Sequence, residues 1–495
     1  MISEWYNITN HHSPITNYQS HLQRRLILAC IIGYHNVMSL SIVILAAGQG
    51  KRMRSALPKV MHRLAGRTLL EHVYHAASQL ESRQILVVYG HGGERARDEL
   101  GHLNVEWVLQ KQQLGTGHAV KQALPSIPAR DMVLILYGDI PLITTSTLKK
   151  LVMAARKTGA SLLTVNMENP SGYGRIIRDR KGNLVRIVEE KDASDKERSL
   201  HEINTGMMVA SAGHLQRWIS TLGNKNAQKE FYLTDVVAMA VKEGIRIATI
   251  NPDSPVETHG INDRRQLAEM ERYYQLVQAH QLMHRGVTIL DPARFDLRGE
   301  LETDRDVLID VNVLLEGRIR IGANVRIGAN CCIRDTVIGD DVEILPNCVI
   351  ENAVISNGCR IGPFARIRPD TVLDENVHIG NFVEVKKSAI GKNSRANHLS
   401  YIGDSDLGSN VNVGAGTITC NYDGARKHKT IIEDDVFIGS DTQLIAPVTI
   451  GAGATIAAGT TVTKNVESGT LAISRVEQKS VKKWKRPKKN VKRET

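Results

Sequence analysis

Three short stretches carry residue types that could do chemistry. The first is Gly48-Gln49-Gly50-Lys51-Arg52-Met53-Arg54-Ser55-Ala56-Leu57-Pro58-Lys59, which follows the apolar run Leu40 to Ala47. Glycines just beyond a strand let backbone N–H groups approach phosphate oxygens with no side chain between them. Arg52 and Lys59 flank the loop and bring the positive charge that a triphosphate requires. Two familiar phosphate motifs do not fit. A dinucleotide fingerprint needs a third Gly where Met53 stands, and a Walker loop needs Gly-Lys followed by Ser or Thr. The second stretch is Tyr137-Gly138-Asp139, at the end of the apolar run Met132 to Leu136. Ligands of open parallel sheets bind at the carboxyl ends of strands. An Asp there can hold a divalent cation against phosphates, or simply close a turn. The third is His398, in Arg395-Ala396-Asn397-His398-Leu399-Ser400-Tyr401. An imidazole with a pKa of about 6.5 is matched to proton transfer at neutral pH. Between the first two stretches lie Gln110 and Leu114-Gly115-Thr116-Gly117-His118-Ala119. Thr116 and these glycines could bind a base edge through backbone groups or could cap a helix.

The elements that must position these residues fall into two classes. Leu40 to Ala47 is a continuous apolar run of the kind that fills a sheet covered on both faces. Thr68-Leu69-Leu70-Glu71 is a capping box opening a helix that ends near Leu80. Apolar runs at Ile85 to Val88, around Val105 to Leu109, and at Met132 to Leu136 alternate with helical segments as βα units do. Farther along, Ile432, Ile438, Leu444, Ile450, Ile456 and Val462 recur at steps of six. The same phase holds at Ile321, Ile327, Ile333, then Ile338, Ile344, Ile350, then Ile355, Ile361, Ile367, and again at Leu373, Ile379, Val385. That period is too long for strand alternation and out of phase with an α-helix. It predicts a parallel β-helix, one flat side per hexapeptide, with an aliphatic column inside. Gly439 and Gly451 follow apolar positions, where positive φ at a tight corner is expected. Cys420 to Lys429 is a polar insertion, and solenoids use such loops for binding. Between the two classes, Asp263 to Arg285 carries Leu267, Met270, Tyr274 and Val277 at helical spacing, the stripe of a strut between domains.

The expected organisation is therefore an extension of unassigned role over 1–37, a nucleotide-handling domain over 38–264, a linker helix over 265–285, the coil over 286–476 and a basic tail over 477–495. At 495 residues the chain has room for two or three domains. The net charge of +11 is concentrated late, with nine Lys and Arg and no acid between Lys479 and Arg493. Such a run reads as a solvated tail, and no nucleic-acid partner is expected. Cys30, Cys331, Cys332, Cys348, Cys359 and Cys420 show no CxxC pairing, which predicts reduced packing thiols in a cytoplasmic protein. No run reaches the length of a membrane span, so no membrane insertion is expected. Leu26 to Tyr34 after Arg24-Arg25 imitates a secretion signal without a small-residue cleavage site. A start at Met38 would leave the extension untranslated.

Gly48 to Lys59, Gly115-Thr116, Tyr137-Gly138-Asp139 and the coil together resemble the bacterial bifunctional enzymes that are both N-acetylglucosamine-1-phosphate uridylyltransferase and glucosamine-1-phosphate acetyltransferase. The likeness runs from about residue 39 to the basic tail. Lys51 departs from it, standing where the family usually has Thr. The resemblance implies a Rossmann-like α/β nucleotidyltransferase domain followed by a left-handed parallel β-helix of hexapeptide repeats. It also implies Mg²⁺ as cofactor, held by Asp139 and by Asn262 of Gly260-Ile261-Asn262-Asp263. Arg52 and Lys59 would meet the triphosphate and the charge of the transition state. Leu45, Ala46, Ala47, Gly48, Tyr137 and Gly138 would line the UDP-sugar site. Gln110 and Gly115-Thr116 would read the uracil, and Gly174, Glu189 and Asn204 would grip the sugar. His398 would be the base of acetyl transfer. Arg368 and Lys386 would hold the sugar phosphate, and Tyr401, Asn412 and Lys427 the acetyl acceptor. Acetyl-CoA, as co-substrate, would lie along Ala415, Asn421, Tyr422, Ser440, Ala458 and Arg475. The implied partners are UTP, glucosamine 1-phosphate, N-acetylglucosamine 1-phosphate, acetyl-CoA and two further copies of the chain in a homotrimer.

The chemistry implied is self-consistent. A sugar 1-phosphate oxygen is already anionic at neutral pH and needs alignment and charge neutralisation rather than a base. An amino sugar arrives largely as an ammonium and does need one. Two other readings exist: nucleotidyl transfer alone with a regulatory coil, and a non-catalytic scaffold like some translation-factor exchange subunits. Retention of Lys386, His398 and the Asn421 loop weighs against the first, and Arg52, Lys59 and Asp139 weigh against the second.

Overall fold

The computed structural model describes residues 38–48, 50–90 and 92–487. The 1–37 extension with Cys30, Gln49 of the glycine loop and the end of the tail lie outside the described residues. The chain forms two compact units, the first made of residues up to Arg63 and Thr68–Leu267, the second of Leu64–Arg67 and everything from Ala268.

In the first unit the strand Leu40–Leu45, buried at every position, lies in the middle of the sheet. It pairs in parallel with Gln84–Gly90 on one side and Met132–Tyr137 on the other, and Glu106–Gln110 extends the parallel set. Alternate residues feed two cores: Val43 and Leu45 pack into one layer, Ile42 and Ile44 into the other. Apolar side chains are needed on both faces, which is why this strand is an unbroken hydrophobic run. The helix Leu69–Ser78 opens with the expected capping box, in which Glu71 N donates to Thr68 Oγ1 at 3.2 Å and Thr68 N to Glu71 Oε2 at 2.7 Å. The alternation of parallel βα units stops after Met132–Tyr137. Glu202–Ser211 enters antiparallel between Met132–Tyr137 and Gly159–Asn166, and the hairpin Gly174–Arg178 with Leu184–Val188 attaches to it. An antiparallel partner needs no crossover helix, and residues 167–201 between Gly159–Asn166 and Glu202–Ser211 carry this hairpin.

The second unit is a parallel β-helix. Most ladder residues sit 17 or 18 positions from their neighbours in the next coil, as Asn376 to Asn393 and Asn312 to Asn330 illustrate. The periodic positions form its interior: Ile321 through Ile367, Leu373, Ile379, Val385 and Ile432 through Val462 are all buried in one cluster. Across the insertion the step lengthens to 25 residues, as between Asn410 and Asp435, so the stack continues unbroken. Cys420, expected in the insertion, ends the strand Ile418–Cys420 in register with Ile445, and the loop begins after it.

Two expectations are corrected. Gly439 and Gly451 do not have positive φ; the corners are turned mainly by Asn and Asp, such as Asn410, Asp435 and Asp441. Gly is required at 439 because a Cβ there would lie 2.5 Å from Ala458 N in the next coil. The linker stripe is also displaced. Helix Arg264–His284 buries Gln275, Ala279 and Leu282, while Leu267, Met270, Tyr274 and Val277 are only partly covered. Gln275 is tolerated inside because its amide makes both hydrogen bonds with the Leu297 backbone, at 2.9 and 2.8 Å. No helix among the described residues is long and apolar enough to cross a membrane.

Candidate active sites

The central strands of the first unit end at a cavity of about 510 Å³. Leu45, Ala46, Ala47 and Gly48 line it from one strand end, Tyr137 and Asp139 from the adjacent one. Gly138 N donates to Leu45 O at 2.9 Å and fixes the two ends together. Gly50 adopts φ 59°, and a Cβ there would meet Lys59 Cβ at 2.7 Å, so the loop closes directly on the lysine. Lys59 Nζ donates to Asp139 Oδ2 and, at 3.2 Å, to Asn262 Oδ1. Asn262 is brought there by Ile261 N, which donates to Asp139 O at 2.9 Å. Two oxygen acceptors thus converge on one cationic centre. Arg52, by contrast, is exposed on the short 3₁₀ turn Lys51–Met53 and does not reach the cavity wall.

Gln110, Gly115 and Thr116 line the opposite side of the cavity. Thr116 does not cap a helix: it is the first residue of Thr116–Ala123, Gly115 holds the cap position, and Thr116 Oγ1 accepts from Leu233 N at 3.3 Å. Beyond Tyr137 lie the expected sugar residues. Gly174 pairs with Asn204 across the ladder, and Asn204 Oδ1 accepts from Gly206 N at 3.0 Å. Glu189 opens on a separate recess of about 390 Å³ and accepts from Thr234 Oγ1 at 2.9 Å. Burial raises the Glu189 pKa, and Asp235, Asp192 and Glu230 raise it further against the Thr234 hydrogen bond. Burial likewise keeps the Tyr137 phenol neutral, reinforced by the charges of Glu189 and Asp139. Sequence reasoning missed Gln113, Val60 and Glu230 on the cavity wall. Lys51, the residue that departs from the family pattern, also faces it. Gln113 Nε2 donates to Ala47 O. Its position between Gln110 and Gly115 was the only signal available.

In the second unit His398 is exposed at the end of strand Arg395–His398. Its Nδ1 lies 2.8 Å from Oδ1 of Asn381, its register partner one coil earlier. The expected acetyl-CoA residues continue along the same edge. Gly416 N donates to Leu399 O, Asp441 N to Ala415 O at 2.7 Å and Gly459 N to Ser440 O at 2.8 Å, while Gly459 lies against Arg475. Ser440 and Ala458 therefore sit one above the other at a corner. Asn421 is buried and donates to Asp404 Oδ2 at 2.6 Å and to Tyr401 Oη at 3.4 Å, whereas Tyr422 is exposed on the insertion. Lys386 has its pKa lowered, chiefly by Lys427 beside it. Like charges held together mark a place that favours an anion. Arg368 belongs to this group but is paired with Glu384 at 2.7 Å. Asn412 is half-buried in register with Arg395. Asn381, Asp404 and Glu384 were not singled out from the sequence; their roles depend on coil stacking. Among the described residues no group of three or more His, Cys, Asp or Glu could hold a metal alone.

Comparison with known proteins agrees with this division. The family profile described as MobA-like NTP transferase domain matches residues 42–203. The GMPPB C-terminal domain matches 297–381, and six repeats of bacterial transferase hexapeptide match 429–464. A bifunctional protein GlmU from Methylococcus capsulatus is 59% identical over 453 residues, covering 91% of this chain and 98% of the relative. Those of Aromatoleum aromaticum and Azoarcus sp. are 58% and 57% identical over 448 residues, covering 90% of this chain and 98% and 99% of theirs. The chain belongs to the GlmU family of bifunctional enzymes, which unite a nucleotidyltransferase and an N-acetyltransferase in one polypeptide.

Proposed function

We propose that the β-helix acetylates glucosamine 1-phosphate with acetyl-CoA, and that the strand-end cavity joins N-acetylglucosamine 1-phosphate to UTP with release of pyrophosphate. The observation carrying the second step is the convergence of Asp139 Oδ2 and Asn262 Oδ1 on the Lys59 ammonium. One anionic and one neutral oxygen facing a single cation suit Mg²⁺, which takes few protein ligands and completes its shell with phosphate and water. Asp139 and Asn262 would hold it, and bound there it would neutralise phosphate charge. Lys59 stabilises the triphosphate while the sugar phosphate oxygen attacks the α-phosphorus, and Arg52, exposed on the turn Lys51–Met53, adds positive charge from outside the cavity wall. Gln110, Gly115 and Thr116 meet the uracil, and Gly174, Glu189 and Asn204 the sugar.

In acetyl transfer His398 Nε2 takes the proton of the amine, whose nitrogen bonds to the thioester carbonyl carbon as the C–S bond breaks and CoA leaves as its thiolate, which the imidazolium can then protonate. Arg368 and Lys386 hold the sugar phosphate, and Tyr401, Asn412 and Lys427 the rest of the acceptor. Acetyl-CoA follows the edge from Ala415 past Ser440 and Ala458 to Arg475, with Asn421 and Tyr422 beside it. A homotrimer is supported by Val337, Val354 and Val372, which stack in register on one outer face and are 47%, 45% and 45% exposed. Free thiols at Cys331, Cys332, Cys348, Cys359 and Cys420 suit a cytoplasmic setting.

The test is a double dissociation. His398→Ala should abolish acetyl transfer and leave Mg²⁺-dependent turnover of UTP near normal, and Asp139→Ala should do the reverse. Loss of both activities from either folded variant would disprove two separate sites.

A further inference from the structure

We propose that His118 is a positioning residue that decides which pyrimidine the cavity accepts, by holding the Gln110 amide with its oxygen toward the base. This rests on the reading that Gln110 faces the base, and adds what orients it. Gln110 ends the strand Glu106–Gln110, is 2% exposed and lines the cavity. Its Nε2 donates to Gly115 O at 3.2 Å and approaches His118 Nδ1 at 3.0 Å. Two acceptors on the wall behind the amide commit the nitrogen to that side. Oε1 is left as the atom of this amide without a protein partner among the described residues.

An acceptor presented to the base complements the N3–H of uracil. Cytosine carries a lone pair at N3, so the same oxygen would meet another acceptor and leave both unpaired. Turning the amide over would reverse the preference, and the group that prevents the turn therefore sets the specificity. Of the two acceptors, the Gly115 carbonyl is backbone and the His118 imidazole makes the shorter contact.

His118 can accept at Nδ1 only when neutral with its proton on Nε2. Burial and the neighbouring Lys121 both hold its pKa below the ordinary value, which keeps it neutral. The Gln122 amide nitrogen lies 3.2 Å from Nε2 and donates to the His118 carbonyl at 3.3 Å, and the ring's proton has the Gln112 backbone carbonyl as its acceptor. The ring is also confined by Phe231, with centroids 6.4 Å apart. The Phe231 backbone is itself fastened to the same loop, accepting from Gly117 N at 2.9 Å and donating to Leu114 O at 2.8 Å. Imidazole and amide are thus held as one unit by the segment Leu114 to Gln122.

The experiment compares kcat/KM for UTP and CTP, with N-acetylglucosamine 1-phosphate as acceptor, in the full-length chain. His118→Ala should lower the UTP-to-CTP ratio about tenfold or more. His118→Asn, whose Oδ1 can stand where Nδ1 stands, should restore most of it. A merely structural role would lower both nucleotides alike and leave the ratio unchanged. Gln110→Ala distinguishes the two levels of the argument. If it collapses the ratio while His118→Ala does not, the role of His118 is overturned and the base reading stands; if neither changes it, both fall. Should His118→Ala not fold by thermal unfolding, His118→Leu fills the space without an acceptor and carries the same comparison.

Discussion

Asn381 and His398 are register partners in adjacent coils, and the Asn381 Oδ1 to His398 Nδ1 contact of 2.8 Å links them across the stack. With Nδ1 donating to the amide oxygen, the neutral imidazole presents Nε2 as its basic atom. Asn381→Ala should therefore lower kcat for acetyl transfer about tenfold with a smaller change in KM. Asn381→Asp should keep the orientation and shift the pH–rate profile, because a carboxylate favours the protonated ring. An unchanged profile in Asn381→Asp together with full activity in Asn381→Ala would remove Asn381 from the mechanism.

Lys59 meets Asp139 and Asn262 at one point, so its substitution should be felt only in the nucleotidyltransferase. Lys59→Met should reduce uridylyl transfer about a hundredfold or more. Acetyl transfer measured on the same preparation should stay within twofold of the parent.

Glu189 gives a pH-dependent stability prediction. Its folded-state pKa is raised, principally by burial, above that of an unfolded chain. Stability associated with the protonated form is complete below the ordinary carboxylate pKa and is lost as pH rises through the folded value. At neutral pH the buried carboxylate is therefore a burden. Glu189→Gln should raise the melting temperature more at pH of about 7.5 than at pH of about 4.5. A gain equal at both pH values would contradict this account.

Gly439→Ala should destabilise the β-helix, because its Cβ would lie 2.5 Å from Ala458 N and 2.7 Å from Ile456 O. Overpacking of this kind costs about 1–3 kcal/mol. Gly424→Ala is the control within the same unit: a Cβ there meets nothing within 4 Å, although its φ of 97° carries its own strain. Calorimetry should show the larger loss in Gly439→Ala.

The aliphatic column was legible because a hexapeptide repeat states its burial pattern locally and many times over. Every periodic position from Ile321 to Val462 that spacing identified lies in the interior. The strand-end loops were legible too, since glycine, cations and an acid after an apolar run leave few alternatives. The outward direction of individual side chains was not legible. Lys51 faces the cavity and Arg52 does not, although they are adjacent, because the turn Lys51–Met53 rotates one inward.

The sequence by itself determined the two architectures, the chemical character of the phosphate loop and the histidine suited to an amine, since each is written in residue types at short spacing. Only the tertiary structure decided which distant groups meet. Lys59 reaches Asn262 across 203 residues, and Asn381 reaches His398 because one coil is 17 residues long. Such meetings depend on the whole backbone path between the partners, and no local pattern of residue types contains that path.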